Sequence, residues 1–406
     1  MNQKKANVLI VAYACEPNKS SEPGVGWNFS REISSITNLT VLTRLNNKND
    51  IEKTNPNNIN FIYYDLPSVF LYLKKRIPLG TQIYFFLWQW GAYFKLRKYI
   101  KNYNIDLLHH LNFSMRWNPP PFFLIKKPVL WGPIGGADII PIAFLKNMGY
   151  KAIFNEGLYF FINFLNRFSS LSFSKNLKAV VLRTDSSLKL FKKEKFKSIF
   201  VISETASEDI DVINFKKKKL DKDLYAVCIG RLNYWKGFFM AVKGFHFFLE
   251  NGGKGKLEIY GEGSEQKKIK AYIDKHNLND SIKIKGFVTN TKIKEVLLNA
   301  NVLLHPSFRE GGSWSIMEAM SNGLPVICLD TSGPKDMVAE NCGILVKLKS
   351  RNQIEKDIGS ALIKLQSDTQ FYHMLSTNAY RRIKEEYTWR NRGQQIKAVY
   401  DLILEN

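Results

Sequence analysis

Short apolar runs rich in β-branched residues recur along this chain. Each is followed by a longer stretch in which apolar positions return with helical spacing. In the first half the runs are NVLIVAYA (7–14), LTVLT (39–43), INFIYYD (59–65), IDLLHH (105–110), PVLWG (128–132), KAVVLR (178–183) and SIFVIS (198–203). In the second half they are LYAVCIG (224–230), KLEIYG (256–261), SIKIKG (281–286), NVLLHP (301–306), LPVICL (324–329) and GILVK (343–347). Most are apolar throughout rather than alternating, which is how parallel strands covered on both faces read. The pattern predicts an α/β chain of doubly wound type.

The strand–helix series is interrupted once, by the polar segment SETASEDIDVINFKKKKLDKD (203–223), and then restarts. A chain of 406 residues is also too long for one ordinary core. The expectation is two Rossmann-like domains in tandem, 1–205 and 206–387. Open parallel sheets bind ligands beyond the carboxyl ends of their strands, so two such domains facing each other would leave a cleft between them. The final segment, YTWRNRGQQIKAVYDLILEN, reads as a helix over 388–406 with Ile396, Val399, Tyr400, Leu402 and Ile403 on its apolar side, packing back on the first domain.

Composition sharpens this picture in two places. The net charge of +23 is uneven: residues 1–200 hold 28 Lys/Arg against 11 Asp/Glu, and residues 201–406 hold 31 against 25. The first half should therefore face an anionic partner, whether lipid headgroups, nucleic acid or a phosphorylated substrate. No recognised nucleic-acid module accompanies the charge, which leaves a basic nucleic-acid-binding protein as the rival from another class. Two aromatic-rich stretches, 73–103 and 157–175, read either as an anionic-membrane docking surface or as core helices with lysines outside. In the second of them Leu158, Phe161, Ile162, Leu165 and Phe168 share a helical face. The four cysteines, Cys15, Cys228, Cys328 and Cys342, lie far apart in apolar runs, which predicts reduced, buried thiols and a cytoplasmic chain, peripheral on the inner membrane face if it docks at all. The opening MNQKKANVLIVAYACEP resembles a lipoprotein leader ending at Cys15, but Tyr13 is bulky for a cleavage site and a buried first strand is the expectation.

Candidate chemistry collects at strand ends. REGGSWSIME (309–318) follows the run NVLLHP and holds two acids, Glu310 and Glu318, around Gly311, Gly312 and Ser313. The glycines permit close backbone approach to a ligand, and a helix beginning near Ser313 would favour an anion such as a phosphate. Glu318, about one and a half turns into that helix, can accept hydrogen bonds from two hydroxyls, as a ribose offers, and Glu310 can do the same for a sugar. Arg231 and Lys236 follow the strand run ending at Gly230 and could clamp a diphosphate. Gly24 and Gly26 lie in what reads as a glycine loop after the first strand. His109 and His110 end another strand run, and Asp138 sits in the glycine-rich WGPIGGAD; each could meet an acceptor hydroxyl. The triplets DID (209–211) and DKD (221–223) lie in the charged segment, away from any strand end, and read as solvated linker acids rather than a metal site.

Taken together, Glu310 and Glu318 with AMSNGLPVICLDTSGPKDMV behind them, Arg231 and Lys236 upstream, and the pieces YACEP, SEPGVGW, HH and WGPIGG resemble the retaining GT-B glycosyltransferases of family 4, the glycosyl transferases group 1, of the type that makes bacterial surface polysaccharides. The resemblance implies a hexosyl transfer from a UDP- or GDP-sugar to a glycan or lipid-linked acceptor, without a metal or other cofactor. By that resemblance Glu310 and His110 would orient the donor sugar, and Glu318 would hold the ribose. Arg231 and Lys236 would neutralise the diphosphate, with Gly311, Gly312 and Ser313 offering backbone N–H groups. Gly24 and Gly26 would close over the donor, and Gly261, Gly286 and Val288 would flank the base. Two departures stand out: Glu-Gly-Gly-Ser where Glu-Gly-Phe-Gly is common, and an adjacent histidine pair where His-x-His is common. A sugar-nucleotide epimerase or a phosphorylase of the same fold is the nearest rival enzyme.

Overall fold

The computed structural model describes residues 5–405 apart from 55, 78–79, 117, 137–139, 146–147, 166–174, 192–195, 197, 209–219 and 221–222. All thirteen apolar runs form strands: β1 (Asn7–Val11), β2 (Asn38–Thr43), β3 (Ile59–Tyr63), β4 (Leu107–His110), β5 (Val129–Ile134), β6 (Leu177–Leu182), β7 (Ile199–Val201), β8 (Leu224–Ile229), β9 (Gly255–Tyr260), β10 (Ile282–Gly286), β11 (Val302–His305), β12 (Val326–Leu329) and β13 (Gly343–Val346). They build two all-parallel sheets, ordered β3-β2-β1-β4-β5-β6-β7 and β10-β9-β8-β11-β12-β13. The first six strands of each follow the doubly wound order in which the chain works outwards in one direction and then returns to start again on the other side.

The chain divides into two compact units. One comprises 1–137, 159–204 and 389–406; the other comprises 138–158 and 205–388. In the first, the core packs Leu9, Val11, Leu108, Trp131 and Leu182 against Trp88 and Phe123. In the second, Cys228, Ile259, Leu304 and Leu329 pack against Phe245 and Leu362. Burial on both faces explains why strands such as β4 and β5 carry no alternation, whereas the edge strand β10, IKIKG, alternates. All four cysteines are buried free thiols.

The last helix, Trp389–Glu405, belongs to the first unit and lies against helix Ser21–Ser34. Trp389 meets Phe29 edge-on at 5.5 Å. Gly393 lets the two helices come close: a Cβ there would sit 2.8 Å from the Cβ of Glu32. Ile396, Val399, Tyr400 and Ile403 face inward, whereas Leu402 is 41% exposed and does not belong to the packed side. Among the described residues no helix is long and apolar enough to cross a membrane.

Candidate functional site

In the second sheet the strand order reverses between β8 and β11. The chain leaves β8 towards β9 and leaves β11 towards β12 on the other side, the switch point at whose carboxyl edge doubly wound sheets bind ligands. Arg231 and Lys236 lie on the β8 loop and Glu310 on the β11 loop. The two loops are sewn together by Phe308 N–H donating to the Trp235 carbonyl at 2.8 Å and by Ser307 Oγ donating to the same oxygen at 3.2 Å. Gly237 completes the seam. Its φ is 69°, and a Cβ there would stand 2.1 Å from the carbonyl oxygen of Pro306. Only glycine accepts both that backbone conformation and that approach.

This seam brings together two groups that are 74 residues apart: Lys236 Nζ donates to Glu310 Oε2 at 2.5 Å. The Ser307 hydroxyl, also 3.2 Å from this carboxylate oxygen, shares its one proton between it and the Trp235 carbonyl, and His305 Nε2 lies 3.5 Å away. Burial works to raise the Glu310 pKa, but Lys236 and His305 outweigh it and hold the carboxyl down at about 2. Glu310 is thus an ionised group beneath the surface at any working pH. His305, at the end of β11, is fully buried, and burial lowers its pKa. Its ring also lies within 3.4 Å of Ser313 Oγ and 3.3 Å of Ser315 Oγ, so it braces the helix that follows. Nothing but its place at a strand end marks His305 in the sequence. Arg231 is exposed and forms no ion pair among the described residues.

Ser313 caps helix Trp314–Ser321, its Oγ accepting from Ile316 N–H at 3.4 Å. Its own N–H points at Met337 Sδ, 3.4 Å away, which corrects the expectation that this N–H is presented to a ligand. Gly311 lies under the loop after β12: a Cβ at Gly333 would overlap the Gly311 carbonyl oxygen, and Gly333 N–H donates to the Glu310 carbonyl at 3.1 Å. Gly311 and Gly312 are half-buried on the turn after β11. Glu318 is half-buried on the helix, and its carboxylate has no hydrogen-bond partner among the described residues. Burial pushes its pKa up to about 7, with Lys294 working against it. Gly261 and Gly286 close β9 and β10 beside Gly230, joined by Gly261 N–H donating to the Gly286 carbonyl at 2.8 Å, and Val288 follows half-buried. All these residues share one edge of one sheet.

Three readings of the sequence need correction. Gly24 and Gly26 are not in a loop; they lie inside helix Ser21–Ser34, buried. Gly26 is there because a Cβ would stand 2.0 Å from the Ala14 carbonyl oxygen. Pro23 and the glycines read as loop formers, but Pro is tolerated in a first helical turn. His109 has no exposed surface: its Nε2 lies 2.7 Å from the Gly132 carbonyl and its Nδ1 2.7 Å from Tyr400 Oη. The carbonyl can only accept, so Nε2 carries the proton and Tyr400 donates to Nδ1. His109 therefore ties the last helix to the first sheet, and burial depresses its pKa to about 4. His110 is equally enclosed, against Phe122, with neither ring nitrogen hydrogen-bonded among the described residues; burial depresses its pKa to about 3. In this geometry neither imidazole has exposed surface. Asp138 and the acids Asp209, Asp211 and Asp221 lie outside the described residues.

A residue the sequence does not single out is Glu156, on helix Tyr150–Leu165. Its side chain is buried, with Oε2 2.8 Å from Arg309 Nη1 and Oε1 accepting from Tyr234 Oη at 2.8 Å. The Arg309 guanidinium also stacks 5.3 Å over Trp235. One carboxylate thus holds the residue before Glu310 and a residue two before Lys236. Glu156→Ala is expected to cost about 1–3 kcal/mol, the loss of a buried acceptor for charged and hydroxyl donors. A thermal melt with no shift would remove Glu156 from the seam.

Known proteins share both the segment that carries this geometry and the architecture around it. Residues 209–382 match the family model for glycosyl transferases group 1. The matched segment contains Arg231, Lys236, Glu310 and Glu318. Over 219 residues the chain is 30% identical to the poly(glycerol-phosphate) alpha-glucosyltransferase of Bacillus subtilis, covering 52% of this chain and 31% of that protein. It is 30% identical over 128 residues to the amylovoran biosynthesis glycosyltransferase AmsK of Erwinia amylovora, covering 30% of this chain and 31% of that one. The chain spans about a third to a half of the length of the curated relatives it matches. Among solved structures, sucrose-phosphate synthase from Thermosynechococcus elongatus is similar with a TM-score of 0.62 at 16% identity, covering 99% of this chain and all of that one. Anabaena HepE in complex with UDP gives 0.63 at 15% identity, covering 98% and 100%. At such identities the likeness speaks for the fold, and the fold is of the GT-B class: two parallel-sheet α/β units.

Proposed function

We propose that this protein is a retaining glycosyltransferase that moves a hexosyl group from a UDP- or GDP-sugar to a glycan or lipid-linked acceptor, in the synthesis of a bacterial surface polysaccharide. The observation that carries the reading is the Lys236–Glu310 pair at the switch point of the second sheet, within the group 1 segment. The ammonium has three donors, so it can keep Glu310 and still meet a phosphate oxygen. The donor diphosphate would take Lys236, exposed Arg231 and the start of helix Trp314–Ser321, and Glu318 would take the ribose hydroxyls. Glu310 would hold the sugar hydroxyls. The acceptor oxygen then bonds to the anomeric carbon from the side on which the bond to the diphosphate breaks. Its proton passes to the departing phosphate oxygen. The two cations stabilise the charge that grows on that oxygen, which is the work a metal ion does in other transferases. The resemblance of the Glu310–Glu318 segment supports retention. The names of the relatives, an alpha-glucosyltransferase and an amylovoran biosynthesis enzyme, support the polysaccharide setting. The four free thiols support a cytoplasmic site of action.

The proposal is tested by incubation with nucleotide sugars, with and without an acceptor extract. Release of nucleoside diphosphate only with acceptor supports transfer; an altered sugar nucleotide without acceptor would point to an epimerase instead.

Glu318 makes the reading sensitive to pH. A carboxyl with its pKa near 7 is largely protonated below that pH, whereas two ribose hydroxyls need the carboxylate. Nucleotide affinity should therefore fall about tenfold per unit as pH drops below about 7. Stability runs the other way. Because the folded pKa lies above the ordinary 4.5, the stability contributed by Glu318 is fully present below that value and is lost as pH rises through about 7. Glu318→Gln is expected to raise the melting temperature at about pH 8 and to weaken nucleotide binding at least about tenfold there. A variant that binds nucleotide as tightly as the parent would take Glu318 out of the site.

A further inference from the structure

Between Asp65 and Asp106 the chain carries seven Lys/Arg and no acidic residue. The structure folds most of this span into two helices of the first unit, Ser68–Arg76 and Gly80–Asn102, which pack on each other. The longer helix has two apolar faces. Tyr84, Trp88, Ala92 and Leu96 recur every fourth residue and enter the core. On the opposite side, Ile83, Phe86, Trp90, Phe94, Arg97 and Lys101 fall on one stripe at three- and four-residue steps. Ile83, Phe86 and Phe94 on that stripe are 45%, 48% and 57% exposed. The shorter helix buries no residue, and Val69, Tyr72, Leu73 and Arg76 share its outward stripe, with the Arg76 guanidinium 4.1 Å over the Tyr72 ring.

A soluble helix needs one apolar face; a second, turned to solvent and ending in cations, needs a partner. We infer that this helical hairpin is a docking surface for an anionic lipid bilayer. Charge and shape select the occupant. Branched aliphatic tips such as Val69 and Ile83 have no flat face on which a base would stack, but they suit the boundary of headgroups and acyl chains. A second copy of the chain would set cations against cations. Phosphate-bearing headgroups complement Arg76, Arg97 and Lys101 on the outward stripes, and exposed aromatic rings suit the headgroup boundary. The inference rests on the first unit alone and stands apart from the donor site in the second; it also says how a lipid-linked acceptor would be met.

The test is co-sedimentation of the full chain with vesicles of phosphatidylcholine alone and of phosphatidylcholine with phosphatidylglycerol, at low and high salt. The expected result is binding to the anionic vesicles only, weakened by salt. Phe86→Ser with Phe94→Ser, and separately Arg97→Glu with Lys101→Glu, should each lower the partition coefficient by about tenfold or more. Melting temperature and nucleotide binding of both variants should stay at parental values, which separates this surface from the donor site. Equal binding to neutral vesicles, no binding to either, undiminished binding by both variants, or displacement of the chain from anionic vesicles by RNA would each overturn the inference.

Discussion

Glu310→Gln is expected to lower sugar transfer by about two to three orders of magnitude while nucleoside diphosphate still binds. The carboxylate is held ionised by Lys236 and His305 and sits beside the cation assigned to the diphosphate. Glutamine keeps the shape and loses the charge, so the sugar's hydroxyls lose a strong acceptor and Lys236 loses the partner that fixes its ammonium. The diphosphate contacts remain. The expected signature is therefore a fall in kcat with little change in nucleotide affinity, the pattern of an interaction made chiefly in the transition state. A Glu310→Gln protein with parental turnover would leave the Lys236–Glu310 pair as a purely structural ion pair.

The second large effect concerns backbone. Gly237→Ala should both destabilise the chain and abolish donor binding, whereas Gly252→Ala should cost only about 1 kcal/mol, the penalty of a positive φ. The two glycines have similar conformations, φ 69° and 84°. They differ in surroundings. A Cβ on Gly252 meets nothing within 4 Å, while one on Gly237 drives into the Pro306 carbonyl and pushes the β8 and β11 loops apart. Separating those loops separates Lys236 from Glu310. Thermal melts and nucleotide titrations of the two variants give the comparison, and equal behaviour of the pair would show that the seam is not what assembles the site.

The strands are legible in the sequence because burial on both faces writes them as apolar runs, and the break at 203–223 falls where a second sheet begins. The local structure of REGGSWSIME is legible too, because a strand end, a turn and a capped helix are local features. What joins the pieces is not local. Lys236 reaches Glu310 only because β8 and β11 become neighbours across the switch point, a consequence of strand order and not of spacing. Glu156 stands as the one acid of its helix, 153 positions from Arg309. The histidines mislead for the same reason. His109 reads as a strand-end candidate for an acceptor hydroxyl, and the fold gives it Tyr400 from 291 residues away. SEPGVG reads as a loop because glycine and proline are loop residues in isolation; here a close approach to Ala14 decides the glycine at Gly26, and the helix forms around it.

The most direct measurement of the central claim is a calorimetric titration of UDP and of GDP into the full chain in the presence of EDTA, repeated with Lys236→Ala and Glu318→Ala. One nucleotide is expected to bind at one site per chain without added metal, and to bind at least about tenfold more weakly to each variant. Failure of both nucleotides to bind, or binding that neither substitution weakens, would contradict a donor site at the switch point of the second sheet.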